Sequence, residues 1–230
     1  MRLILFSLTL LLLSNSIIGQ TCHCPVGVSF CDKDKPLKVF SFSNKKSLAI
    51  CGQFEVKNKD TTYEEFACLE CGQKKIIDQW GATEQCKIVR VNDTLFITEL
   101  YSLPIGKSFK DVVKPFHVYK FYYHDNKIKE ECCYRKDIPL YSAEQNKQVI
   151  QRFYKLKKGN SDANLDEAFM LFWAFVSGSK EAEKCFNEMY KKYGPFDGAI
   201  VEQWNFIYNT YLDYKSQRHI VKHFPFNNPY

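Results

Sequence analysis

Phe116-His117-Val118-Tyr119-Lys120-Phe121-Tyr122-Tyr123-His124-Asp125-Asn126-Lys127-Ile128-Lys129-Glu130-Glu131-Cys132-Cys133-Tyr134-Arg135 reads as a single β-hairpin. The stretch is rich in aromatic and β-branched residues, which fit a pleated surface. Asp125-Asn126 divides it, and both residues tolerate the positive φ of a two-residue turn. Folding the chain there puts Tyr119, Phe121 and Tyr123 opposite Cys132, Glu130 and Ile128. Lys120 then falls opposite Glu131 on the other face, a favourable cross-strand charge pair.

Working outward, the rest of residues 37–135 also reads as strands. Leu37–Phe42, Leu48–Val56, Cys86–Val91 and Leu95–Tyr101 are short β-type runs. Asn92-Asp93 turns Cys86–Val91 into the next run, pairing Val89 with Phe96 and Ile88 with Ile97. That register leaves apolar side chains on both faces, so this strand pair should be covered on both sides. Asn92-Asp93-Thr94 also fits the N-glycosylation pattern at an exposed tip.

From Ser142 the period becomes helical. Ser142 and Gln145 form a capping box for a helix running to about Lys158. Asn164 with Glu167 opens a second helix that is apolar nearly all round, so it should be the buried centre of the helical part; Gly178 stops it. A third helix spans Ser179–Tyr193. A fourth opens near Asp197, with Ile200, Val201, Trp204, Ile207, Tyr208 and Tyr211 at helical spacing. A single helix pair carrying Ala182, Phe186 and Pro195 is too little for a tetratricopeptide array, which needs about three units. The fold class that follows is α+β, a disulfide-braced antiparallel β region followed by a small helical bundle.

The N-terminus sets the compartment. Arg2, the apolar run Leu3 to Leu13 and the small residue Gly19 read as a secretory signal peptide over 1–20. The remaining organisation is a cysteine-rich β region at 21–140, a helical region at 141–220 and an extended tail at 221–230. No other apolar run approaches the ~20 residues of a membrane span. The expected localisation is secreted, periplasmic or extracellular. The net charge of +6 is spread along the chain rather than gathered into a basic stripe, which argues against nucleic acid as a partner.

The chain has ten cysteines. In an exported protein Cys22, Cys24, Cys31, Cys51, Cys68, Cys71, Cys86, Cys132, Cys133 and Cys185 are all disulfide candidates. Cys132 and Cys133 are strand neighbours and point to opposite faces, so they need different partners. A bond from Cys133 to Cys185 would staple the helices to the sheet. A four-thiolate zinc site from Cys22, Cys24, Cys68 and Cys71 is the competing reading; export favours disulfides over it.

Catalytic motifs fail one by one. Gly106-Lys107-Ser108 lacks the first glycine of a P-loop, because Tyr101 stands there. His219 and His223 share the spacing of metal ligands, but Ile220 replaces the glutamate of the metalloprotease motif. His117 and His124 fall on opposite faces of one strand. No cofactor is called for. The expectation is an exported, non-catalytic binding or envelope-associated protein whose partner is a protein or glycan, with the tyrosine-rich hairpin face as a contact surface. The alternatives are a secreted hydrolase whose site gathers distant His, Asp and Glu residues, or a thiolate zinc protein.

Overall fold

The computed structural model describes residues 21–25, 31, 35–57, 60–73, 75–81, 85–135, 138–156, 161–193 and 198–216. The signal segment 1–20, the tail 221–230 and the pair His219 and His223 lie outside these residues. The chain divides into two compact units, 1–84 and 85–230. Among the described residues it carries eight antiparallel strands followed by four helices, an α+β protein.

The first unit holds β1 (Lys38–Ser41), β2 (Ser47–Lys57), β3 (Asp60–Glu70) and β4 (Ile76–Trp80), paired in that order. Strands β3 and β4 are absent from the sequence reading. The alternation of β3 is broken at Glu64-Glu65, and the structure has a register shift there, between Gly52 and Phe54 on the facing strand. Gly52 takes φ 151°, and a Cβ on it would stand 2.2 Å from the Glu65 carbonyl oxygen, so only glycine fits this close approach. Disulfides Cys24–Cys51 and Cys22–Cys71 tie the N-terminal segment to β2 and to the end of β3. Ala49 and Leu69 pack beside them.

The second unit holds β5 (Gln85–Val91), β6 (Thr94–Leu103), β7 (Val112–His124) and β8 (Lys127–Tyr134), again paired in order. Both hairpins have the expected registers: Ile88 opposite Ile97, and Tyr119, Lys120 and Phe121 opposite Cys132, Glu131 and Glu130. Asp125 and Asn126 sit at φ 50° and 57°, as the turn requires. Strand β6 is buried on both faces from Leu95 to Glu99, whereas Val89 on β5 stays 42% exposed. Pro115, which has no N–H for the ladder, marks a bulge: Leu100 faces Pro115 while Glu99 faces His117, leaving Phe116 as the extra residue.

Four helices follow: α1 (Ala143–Lys155), α2 (Ser161–Val176), α3 (Lys180–Tyr193) and α4 (Gly198–Ser216). The Ser142–Gln145 capping box is present in both directions. Helix α2 starts earlier than its sequence signal suggests, so Asn164 and Glu167 lie inside it as buried residues rather than capping it. Its end is a Schellman turn: Gly178 at φ 95° donates to Phe175, and Ser179 donates to Ala174. As its all-round apolarity implies, α2 contacts α1, α3 and α4.

Aromatic residues fill this interior. Phe116, fully buried, meets Tyr101, Tyr134, Phe172, Trp173 and Tyr214 at ring separations of 5.0–6.4 Å. The helices therefore cover the face that carries Tyr134. Cys133 points the other way, packing with Phe96 and Val118 and donating to the Val118 carbonyl. Cys185 on α3 donates instead to the Tyr154 hydroxyl. The expected Cys133–Cys185 bond does not form, because the helices lie on the opposite face of β8. No described helix is long and apolar enough to cross a membrane.

Phe116→Ala should cost about 3–5 kcal/mol in urea unfolding, since it removes the ring on which strands and helices meet. Leu140→Ala, at a residue 54% exposed, should change stability by less than ~0.5 kcal/mol. Equal losses for the two variants would contradict this packing.

Candidate functional site

The bulge at Phe116 brings together residues far apart in sequence. Cys86, Glu99, His117 and Tyr134 form one cross-strand row over β5 to β8, and paired residues share a face. Tyr101 and Cys132 flank the row on that face. His117 is only 8% exposed and Glu99 only 3%. His117 Nδ1 stands 3.0 Å from Glu99 Oε2, and the Tyr101 hydroxyl donates to the same oxygen at 3.2 Å. The imidazole stacks on Tyr134 and abuts Tyr119, each with ring centroids 4.4 Å away.

Cys132 lies at the exposed end of the row, close enough for its thiol to act on the charge of the imidazole. The second ring nitrogen, Nε2, is buried and engages no partner in good hydrogen-bond geometry. Burial alone would lower the His117 pKa. The Cys132 thiol and the Glu99 carboxylate, which is hydrogen-bonded to the ring, outweigh burial and lift it to about 9. The ring is thus an imidazolium at neutral pH, a cation enclosed by protein with an exposed sulfur at its edge. Burial pushes Tyr134 well above the ordinary phenol range, and the Asp213 carboxylate on α4 adds to that.

The other sequence candidates separate. Three of the four proposed zinc thiolates, Cys22, Cys24 and Cys71, are consumed by disulfides. No group of three His, Cys, Asp or Glu suited to a metal occurs among the described residues. His124 is exposed at its turn, 3.1 Å from Asp125. Of the hairpin tyrosines, Tyr134 is buried and Tyr119, Tyr122 and Tyr123 are half-buried, with the Tyr122 hydroxyl donating to Glu131 at 2.6 Å. A groove of about 600 Å³ lies elsewhere, between α1 and the α2–α3 turn, lined by Asn146, Lys147, Gln151, Tyr154, Ser177 and Glu181.

One further feature stands out in the first unit. Trp80, Phe66, Tyr63 and Phe54 form a continuous ring ladder with centroid steps of 4.7, 5.8 and 6.4 Å. Its inner members are buried, yet Phe54 is 52% exposed and Val56, two residues on, 56%. Compared with protein-family models, curated proteins and solved structures, the chain matches none.

The His117 cluster makes stability depend on pH. The folded protein holds the proton up to about pH 9, whereas an unfolded chain releases it near 6.5. The stabilisation is complete below pH ~6.5 and disappears as pH rises through 9; it amounts to roughly 3 kcal/mol. Glu99, Tyr101, Tyr119, Cys132 and Tyr134 surround the ring, and Cys132 and Glu99 both favour its charged form. Chemical denaturation between pH 6 and 9.5 should therefore show falling stability in the native chain and a much flatter profile in Glu99→Gln. Parallel profiles would contradict the assignment.

Proposed function

We propose that this is an exported binding protein that engages a protein partner through the β2–β3 arm. One observation carries the reading: the aromatic ladder starts in the core and runs out into solvent at Phe54 and Val56. Exposed apolar side chains that continue a buried cluster are a common sign of a contact surface. Two disulfides brace β2 and β3 behind the arm, so it meets a partner pre-organised and loses little entropy on binding. The same disulfides are compatible with an oxidising compartment, in keeping with the leader-like N-terminus.

The aliphatic share of the patch favours protein over glycan. Val56 offers neither a flat ring for stacking on a sugar nor a polar group for its hydroxyls. A protein hot spot uses such side chains around an aromatic anchor, here Phe54.

The test compares the wild-type exported chain with a Phe54→Ser/Val56→Ser double variant, each cross-linked in its native host and analysed by mass spectrometry. Both changes are at exposed positions and should alter stability by less than ~0.5 kcal/mol each. The expected result is one protein cross-linked reproducibly through the β2–β3 arm, with recovery falling at least about tenfold in the variant. Equal recovery from both chains, or a partner that survives protease and is destroyed by glycosidase, would overturn the reading.

A further inference from the structure

The β5–β6 hairpin ends in a turn whose residues hold more than the turn requires. Val91 faces Thr94 at the close of the ladder, and Asn92-Asp93 forms the tip between them. Asn92 sits at φ 52°; both tip residues are exposed and Thr94 is half-buried. A turn that needs positive φ explains an asparagine, but not a hydroxyl two residues after it. The β7–β8 turn makes the contrast: Asp125 and Asn126 sit at φ 50° and 57°, and Ile128 stands two residues after Asn126. Asn92-Asp93-Thr94 is also the single place in the chain where serine or threonine follows an asparagine by two residues.

The hairpin has room for bulk at its tip and not further in. Directly after Thr94, β6 is buried on both faces from Leu95 to Glu99. Among the described residues, neither the Asn92 side-chain amide nor the Thr94 hydroxyl is hydrogen-bonded. A group attached to the amide therefore breaks no contact of the fold.

We propose that Asn92 is the attachment site of an N-linked oligosaccharide, transferred from a lipid-linked oligosaccharide diphosphate. The proposal rests on the export included in the reading above, and not on the β2–β3 arm. In the transfer, Nδ2 of Asn92 attacks the anomeric carbon of the first sugar. A new N–C bond forms, the bond from that carbon to the diphosphate oxygen breaks, and the lipid diphosphate leaves with the bonding electrons. Nδ2 gives up one proton to a base of the transferase, and nothing is oxidised or reduced. The Thr94 hydroxyl is the group by which the transferase recognises the acceptor, so it is as necessary as the amide.

The test recovers the full chain after export from its native host and maps the Asn92 peptide by mass spectrometry. Half of the sample is first treated, in heavy-oxygen water, with an amidase that releases N-linked glycans. The expected result is a glycan-bearing peptide whose release leaves a heavy-oxygen-labelled aspartate in place of Asn92, with a faster-running band for the whole chain. Asn92→Gln and Thr94→Ala should each abolish the shift, whereas Thr94→Ser should keep it. The two loss variants act on different residues, so either one decides the matter if the other fails to fold. A chain exported without its leader yet unmodified at Asn92, or a shift that survives Thr94→Ala, would overturn the proposal and leave export standing. A chain retained in the cytosol with its leader intact would overturn both.

Discussion

The packing of Phe116 is the contact on which the second unit depends. Pro115 interrupts the β6–β7 ladder, and the resulting bulge leaves Phe116 without a register partner on β6 but fully buried among Tyr101, Tyr134, Phe172, Trp173 and Tyr214. One extra residue thereby joins strands to helices. The same residue shifts the register so that His117, rather than its neighbour, faces Glu99 and Tyr134. Core and candidate site are two consequences of a single backbone irregularity.

The two units solve the problem of stability differently. The second relies on aromatic volume: Phe186 alone meets Phe172, Trp204, Tyr208 and Tyr211 within 6.3 Å. The first adds two disulfides, which restrict the unfolded chain, to a core that includes Leu48, Ile50, Phe66 and Trp80. Placing covalent ties there leaves Phe54 and Val56 uncommitted to the fold. A side chain that folding does not need is one that binding can use.

Much of this was legible wherever a local rule acts alone. Asp125-Asn126 fixed the β7–β8 register, Ser142 and Gln145 announced α1, and Gly178 ended α2. The losses came where a rule is non-local. Strand β3 was missed because a bulge opposite Gly52 breaks its period at Glu64-Glu65. Asn164 and Glu167 imitated a cap, although α2 had already begun at Ser161. The His117–Glu99 pair depends on the alignment of β6 with β7, and no spacing in the chain encodes that alignment. Pro115 within a strand was the one signal available, since proline there implies an edge or a bulge. The alternation of Cys132 and Cys133 was read correctly, but which face the helices cover is settled by Phe116 and Tyr134, not by the cysteines.

The most direct test of this account is a ring-nitrogen NMR titration of His117 in the folded chain. A buried imidazolium held by Glu99 predicts a charged ring at pH 7.5, with the Nδ1 proton protected from exchange and a midpoint near pH 9. A neutral ring at pH 7.5, titrating near 6.5 with a freely exchanging Nδ1 proton, would mean that His117 and Glu99 do not meet. The bulge register, and the site that depends on it, would then be wrong.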